Sequence, residues 1–428
     1  MKVNKNRVKN TAIIGITALA MTSCVSSSKA QKDNAIVNTN NIERTEDMDN
    51  NYLILSDAQL SAVSKSNSFA FNLFRTQAGM DSKVVSPLSV AYLMGMLANG
   101  SEGNTQAEIM NALGMSNVSL QTLNEAYKAI INTASNLDKQ TTVNIANCIA
   151  VNQQISLKEE YKKAMSQTYN AQVESMNFAG EALKRINSWC DKQTNGMIPS
   201  IINQLNPNAL TVIMNAIYFN GTWEKKFDKK DTKKEPFKGY TRDIKRVDMM
   251  QQKAKFDFIE QNDFSAINLP YGNGTYEMTI ILPHDGKSTT EIMEKLDAEK
   301  LSELNNNMEK CIVDLKLPRF STSTETQLNK PISNLGAPSM FIAGKADFNK
   351  ISDTPMFISS MLQKAKIEVS EEGTKAAAVT AGVMMMSALP NSQPRLVEFH
   401  ADHPFVYIIT ERHTGAIFFI GQYTGDNL

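Results

Sequence analysis

Few residues in this chain are suited to acid–base or metal chemistry, and their spacing nominates no active site. There are four histidines, His284, His400, His403 and His413. His400 and His403 lie three apart and would need further ligands to hold a metal. They stand just before the proline-led run Pro404-Phe405, where structural histidines are expected. No GxSxG, HExxH or GxxxxGKS/T pattern occurs, and Gly286-Lys287-Ser288 lacks the upstream glycine of a phosphate loop. Met384-Met385-Met386 offers soft sulfur ligands, yet three consecutive side chains in an extended loop do not converge on one ion. A Ser-His-Asp triad assembles only in space, and no local motif nominates one. The residues point to no enzyme activity, no cofactor and no metal.

The chemistry on offer is conformational. Residues 371–383 read Glu-Glu-Gly-Thr-Lys-Ala-Ala-Ala-Val-Thr-Ala-Gly-Val, small-sided and nearly uncharged. Such a segment can slide between two existing strands, because no bulky side chain blocks it. An Ala-rich surface loop or helix end is the plainer reading. On a strand, Thr374, Ala376, Ala378, Thr380 and Gly382 share one face, and Lys375, Ala377, Val379, Ala381 and Val383 the other. The charge of Lys375 therefore falls on the face that can stay solvated; buried on the opposite face it would cost several kcal/mol, roughly. Gly373 supplies backbone freedom. From Gly373 to Ser387 the extended chain spans about 50 Å, enough to cross a long sheet.

The elements that must hold this segment divide by position. The first half reads as mainly helical: Ser66–Gln77 by its apolar spacing, and a helix after Ser86-Pro87 by its N-cap and first-turn proline. Thr105-Gln-Ala-Glu108 reads as a capping box opening a helix through Leu113, and further helices are expected near 120–135, 158–168 and 180–195. Strands are expected at Leu210–Phe219, Tyr276–Leu282 and Cys311–Leu317, with a closing hairpin of Phe405–Thr410 and Ala416–Gly421. Helices first and strands later predict an α+β fold with a mixed or antiparallel sheet.

The 428 residues carry 44 basic and 44 acidic side chains and are 42% hydrophobic. The absence of net charge argues against a nucleic-acid partner, and the lysines of 225–234 alternate with Glu224, Asp228 and Asp231 as a solvated mixed-charge surface does. At the N-terminus a basic segment precedes a short apolar run, Thr11–Ala20, too short to span a bilayer. Met21-Thr22-Ser23-Cys24 resembles a bacterial lipobox, which implies a cleaved leader over 1–23, lipidation of Cys24 and a flexible polar tether over 24–50. Met21 departs from the usual residue at its place, so a plain signal peptide is the other reading. Both readings put the protein outside the cytoplasm, lipid-anchored to a membrane or cell surface or else secreted. The remaining Cys148, Cys190 and Cys311 are odd in number and widely spaced, and are expected to be buried thiols rather than a disulfide framework.

Several separated motifs resemble the serpin family over about residues 52–428. They are Ser-Pro-Leu-Ser-Val-Ala (86–91), Ile-Asn-Ser-Trp (186–189) with Thr-Asn-Gly-Met-Ile (194–198), and Asn-Ala-Ile-Tyr-Phe-Asn-Gly-Thr-Trp (215–223). Gly-Lys-Ala-Asp-Phe (344–348), the hinge Glu371-Glu372-Gly373-Thr374-Lys375-Ala376-Ala377-Ala378, and Phe-His-Ala-Asp-His-Pro-Phe-Val-Tyr-Ile-Ile (399–409) complete the set. The resemblance implies one domain over 51–428 with three β-sheets, eight or nine helices and an exposed reactive-centre loop at about 371–398. It implies a suicide-type protease inhibitor: a target protease cuts the loop, becomes acylated, and is trapped when the freed arm inserts into the main sheet.

Counting from the first hinge glutamate, the resemblance places the scissile bond at Ser387–Ala388, with Met386–Ser387 as second choice. Both suit a protease with a small or medium apolar primary pocket, elastase-, chymotrypsin- or subtilisin-like, or a cysteine protease. Cleavage after Arg395 would leave an arm about eight residues too long and is expected to turn the protein over as a substrate. Ser86, Ser89 and Asn215 match positions that control opening of the main sheet, and Trp223 matches the tryptophan where the loop enters. Gln363 stands where the family often has His, so a switch without the usual pH sensitivity is expected, with Gln363 bonding Ser and Asn. The region matching a polyanion-binding helix has only Lys128 as a base, which gives no support to heparin-type activation. The protein is expected to act as a monomer, touching a membrane only through Cys24. A non-inhibitory serpin serving as a binding or carrier module is the alternative; such members tend to carry Pro, charged or bulky hinge residues, and apart from Lys375 the hinge from Gly373 onward has none.

Overall fold

The computed structural model describes residues 53–374 and 394–425, apart from 78 and 242–243. Among these residues there are nine α-helices. They are α1 (Asp57–Arg75), α2 (Pro87–Gly100), α3 (Gly103–Ala112), α4 (Leu120–Ala134), α5 (Glu159–Tyr169), α6 (Ala182–Gln193), α7 (Thr289–Lys295), α8 (Ala298–Asn306) and α9 (Asn329–Asn334). The strands of the first half and centre are β1 (Lys83–Val85), β2 (Thr141–Asn152), β3 (Gln172–Met176), β4 (Thr211–Thr222), β5 (Lys233–Lys238), β6 (Ile244–Glu260), β7 (Phe264–Tyr271) and β8 (Tyr276–Pro283). Those that follow are β9 (Glu309–Pro318), β10 (Phe320–Gln327), β11 (Ser360–Ser370), β12 (Gly373–Thr374), β13 (Leu396–His400), β14 (Phe405–Glu411) and β15 (Ile417–Tyr423).

Six strands form one sheet in the order β10-β11-β12-β4-β2-β3, with β11 and β4 also paired directly. The other nine form a second network, β1-β15-β14-β8-β7-β6-β9-β13, with β5 attached to β6. The smaller sheets that the resemblance implied as separate units are joined here. The cause is β6, 17 residues long, which pairs β5 at its start, β9 along its middle and β7 at its end.

Helix α2 is apolar all round and buried along almost its whole length, as such a helix must be. It packs on α1, α3, α4 and β15 and against β4 from below. The opposite face of the six-stranded sheet is covered by α6 and the connection that follows it. There Ile186, Trp189 and Cys190 meet Cys148, Ala150, Val212 and Met214. Burial pushes the thiols of Cys148 and Cys190 up to about 12, so these cysteines act as small apolar side chains; Cys311 is also buried and free.

One expectation needs correction. Helix α3 starts at Gly103, after Glu102, with no capping box at Thr105. The side chains instead tie the helix to the Gly344–Phe348 motif and its neighbours. Thr105 Oγ1 accepts the Asp347 N–H (3.0 Å), and the Glu108 carboxylate receives the Ser339 N–H and hydroxyl, both at 2.8 Å. The first half is mainly helical, as expected, but β2, which was not foreseen, also runs for 12 residues there. Its burial is nearly continuous rather than alternating, because both faces are covered, which removes the period-2 signal.

One buried carboxyl makes the fold sensitive to pH. Glu277 on β8 is 3% exposed. Burial pushes its pKa up to about 7, against the pull of Arg412, whose Nε lies 3.6 Å from Glu277 Oε2. A carboxyl raised from 4.5 binds its proton more tightly when folded. Its contribution to stability is therefore full below about pH 4.5 and is lost as pH rises through about 7. Urea titrations between pH 4 and 8 are expected to show wild-type stability falling by roughly 3 kcal/mol from this group, and Glu277→Gln flattening that slope. An unchanged slope in Glu277→Gln would sink the assignment.

Candidate functional site

Strands β11 and β4 run parallel side by side, but only at one end. Their ladder pairs Ser360–Lys364 with Val212–Ala216. At the other end the chain turns back after Ser370, and β12 stands between them. Gly373 and Thr374 pair antiparallel with Ser370 and Val369 of β11 and with Thr222 and Gly221 of β4. The first two residues of the predicted insertable segment are thus already a strand of the sheet.

Local chemistry explains why the chain enters here. Gly373 has φ +144°, and a Cβ on it would lie 2.0 Å from the Gly221 carbonyl oxygen, so no other residue fits this close approach. Thr374 is fully buried, and its hydroxyl shares a 2.6 Å hydrogen bond with that of Tyr271. Burial raises the Tyr271 phenol well above its ordinary pKa, keeping it a neutral partner. Trp223 stacks on Tyr271 at 4.4 Å and 12°. Its indole N–H donates to the Ser370 carbonyl and its backbone N–H to that of Glu372, both at 2.9 Å. Trp223 therefore holds the turn that leads into β12.

The two hinge glutamates have different partners. Glu371 is buried; its Oε1 accepts from the Thr232 hydroxyl (2.8 Å) and lies 3.7 Å from Arg319. Glu372 faces outward to Lys226 at 3.0 Å and Lys229 at 3.4 Å. The Lys226 hydrogen bond, ahead of the other contributions, holds its carboxyl below the usual range. The lysine-rich stretch is therefore more than a solvated surface, because two of its cations fix the hinge.

The parallel seam is held from beneath. Gln363 and Asn215 are direct partners across it, and both are buried. Gln363 Oε1 accepts the Ser86 N–H (3.0 Å) and Gln363 Nε2 donates to the Ser86 carbonyl (2.7 Å), while Ser86 Oγ donates to Ser89 Oγ at 2.9 Å. Ser86 caps α2 by position only, its hydroxyl being used by Ser89. Gln363 thus bonds Ser86 but not Asn215, as half of the expectation had it. Asn215 Nδ2 turns to Asn147 Oδ1 (2.9 Å) and the Ala146 carbonyl (3.2 Å), which leaves Asn215 Oδ1 buried without a partner.

The structure brings Ser86, Ser89, Asn215, Trp223, Gln363, Glu371, Glu372, Gly373 and Thr374 to one seam. Lys375, Ala376, Ala377, Ala378, Met386, Ser387, Ala388 and Cys24 lie outside the described residues. Tyr271, Thr232, Arg319, Lys226 and Lys229 were not foreseen, and no local pattern around them marks a partner so distant in the chain. Arg395 is tied down: its carbonyl accepts the Ile312 N–H at 2.9 Å and its guanidinium lies 5.7 Å from the Phe258 ring centre. His403 is structural, bonded to Asp402 at 2.8 Å and to the Pro283 carbonyl at 2.7 Å.

Gln363→Leu would leave the Ser86 N–H buried and unpaired and its carbonyl with only the Val90 N–H, at 3.3 Å, and is expected to cost about 1–3 kcal/mol in urea unfolding. A loss below about 0.5 kcal/mol, the range of an ordinary surface change, would mean that this pair does not hold the seam.

Comparison with known proteins agrees with this geometry. The family model described as Serpin (serine protease inhibitor) matches residues 64–425. Iripin-2 of Ixodes ricinus is 32% identical, covering 86% of this chain and 95% of its own length. Leukocyte elastase inhibitor of Sus scrofa is 33% identical, covering 85% and 98%. Among solved structures, the thermophilic serpin Tengpin in its native state superposes with a TM-score of 0.79 at 26% identity, covering 87% of this chain and 95% of that one. With its mixed α+β fold and its seamed main sheet, the chain belongs to the serpin family.

Proposed function

We propose that this protein is a suicide inhibitor of a serine or cysteine protease and not itself a catalyst. The observation that carries the reading is the hinge: Gly373 and Thr374 already sit between β11 and β4, whose direct pairing stops at Lys364 and Ala216. The target's nucleophile attacks the carbonyl carbon of Ser387, or of Met386 in the second register. The peptide bond to the next residue breaks, and that residue's nitrogen leaves as an amine carrying the nucleophile's proton. The freed arm then continues β12 down the seam, exchanging the short parallel ladder for two antiparallel ones. The acylated protease is carried along and distorted before water completes hydrolysis. The small hinge side chains support this over a binding or carrier role, because Thr374 is already accommodated at full burial.

The residues preceding and following the scissile bond suit an elastase-, chymotrypsin- or subtilisin-like target. The basic and apolar N-terminal run with Cys24 supports export and a bacterial lipid anchor, followed by a tether to one domain over 51–428.

A covalent complex that survives denaturing electrophoresis is expected on mixing with an elastase-like protease, with the released peptide beginning at Ala388 or Ser387. Thr374→Arg is expected to abolish the complex and leave cleavage intact; full inhibition by this variant would refute insertion here. Metabolic labelling with a palmitate analogue in a bacterial host is expected to mark the wild type and not Cys24→Ser, which moves to the soluble fraction. An unlabelled, soluble wild type would leave only the plain signal peptide.

A further inference from the structure

Between β13 and β14 the chain makes a short turn, 401–404. The strand before it, β13, closes one end of the nine-stranded network and, among the described strands, pairs only with β9. The turn is tied to three neighbouring strands. The Ala401 N–H donates to the Lys316 carbonyl of β9 at 2.9 Å, and the Asp402 carbonyl accepts the Lys238 N–H of β5 at 2.8 Å. The tie to β8 is made by the His403 ring. Its Nε2 lies 2.7 Å from the Pro283 carbonyl oxygen, while its Nδ1 lies 2.8 Å from Asp402 Oδ1.

Register explains why a side chain is used. The β14–β8 ladder pairs Val406 with Ile281, and continued toward the turn it sets Pro404 opposite Pro283. Proline has no N–H, so the Pro283 carbonyl takes its donor from the neighbouring imidazole. Both partners of the ring are acceptors. One is a peptide carbonyl; the other is a carboxylate that the His403 hydrogen bond, ahead of the other contributions, holds below the usual range. A neutral imidazole carries one N–H and an imidazolium two. The two contacts together therefore need both ring protons. With one proton gone, the other stays on Nδ1, where it meets the charged acceptor. The lone pair of Nε2 then faces the Pro283 oxygen, acceptor against acceptor, and the two must part.

The charges around the ring favour the two-proton form. Asp402 faces it from the turn itself and Asp285 from the segment after β8. Lys238, at the end of β5, acts on Asp402. Other cations on these elements are engaged elsewhere, Lys287 with Asp263 at 3.1 Å and Lys316 with Glu235 at 2.9 Å. The His284 ring turns to Glu260 at 3.0 Å. Burial works against the charge on His403, but the bonds to Asp402 and to the Pro283 carbonyl outweigh it and raise the imidazole above its ordinary 6.5.

We propose that this turn is a proton-operated clamp: doubly protonated His403 fastens the end of β13 to β8, and loss of one ring proton releases the β8 side. The contribution of the clamp to stability is full below about pH 6.5 and is lost as pH rises through the raised value of the ring. It acts on the first described strand after the loop, so it governs how firmly the chain is anchored on the side away from the hinge. The inference rests on these bonds and is independent of the fate of the loop.

The test uses the full, uncut chain and two readouts. In a histidine-labelled NMR titration, one imidazole is expected to titrate above 6.5, to be missing from His403→Gln, and to return to about 6.5 or below in Asp402→Asn. In amide hydrogen exchange, corrected for the intrinsic rate, protection of the Lys238 and Ala401 amides is expected to fall about tenfold in the wild type between pH 6 and pH 9. In His403→Gln, whose amide does not titrate, it is expected to stay level. Any loss that comes from Glu277 is common to both chains and cancels in the comparison. A His403 that titrates at or below 6.5 overturns the clamp. So does wild-type protection that does not change over this range, or an equal fall in His403→Gln. Should the glutamine variant fail to fold, the wild-type titration, its loss in Asp402→Asn and the wild-type exchange profile decide the matter.

Discussion

The fold turns on a conflict between two pairings for the same edges. Strands β11 and β4 satisfy one another in parallel from Ser360 to Lys364, while at the other end both give their edges to Gly373 and Thr374. The two arrangements cannot extend toward each other, because every further pair formed by β12 removes one from the parallel ladder. Parallel pairing is slightly the weaker per residue, and an inserted strand makes two ladders where one existed. At about 0.5–1.5 kcal/mol net for each hydrogen bond gained, several added pairs outweigh the few given up. The uncut loop cannot collect this gain, since its far end leads on to β13, which is fixed against β9. In the proposed mechanism, tethering at both ends keeps the less stable arrangement in place until the loop is cut.

The surrounding elements brace that seam. Helix α2 begins beneath it and supplies Ser86, whose two backbone groups are matched by one Gln363 side chain. The amide does this with one donor and one acceptor and carries no charge across the range where an imidazole would titrate. The lock is therefore independent of pH at this point, whereas the family's common His would not be. Asn215 is held from the neighbouring strand by Asn147, so the seam is braced on both sides by neutral amides. Acid reaches the hinge instead through Glu372, whose depressed carboxyl loses Lys226 and Lys229 only as pH falls below the ordinary Glu range.

How much of this was legible in the sequence depends on how local each feature is. The hinge segment, Gly373 and the alternation that buries Thr374 follow from side-chain size and strand periodicity. The helices with caps and apolar spacing, and the strands bounded by turns, follow from equally local signals. Strand β2 was not legible because coverage on both faces erased its alternation, and Thr105–Glu108 misled because the same side chains that make a capping box also make tertiary bonds. Tyr271, Arg319 and Lys226 were invisible for a deeper reason. Each is ordinary in its own stretch and becomes part of the hinge only through a contact made across the fold.

In the proposed mechanism the two glutamates mark the part of the hinge that stays, and the residues after Thr374 the part that moves. Glu371 is fixed by Thr232 and Arg319, and its carbonyl accepts the Phe227 N–H at 3.0 Å. The Glu372 carbonyl is fixed by Trp223. None of these bonds need change when residues beyond Thr374 enter the seam, so they contribute equally to both arrangements and supply no driving force. Their effect is to place the pivot, and with it the register, before any protease arrives. The driving force lies with the residues that follow, and this accounts for the contrast in their chemistry. Charge and bidentate partners are concentrated where the chain must not move, and small or apolar side chains where it must.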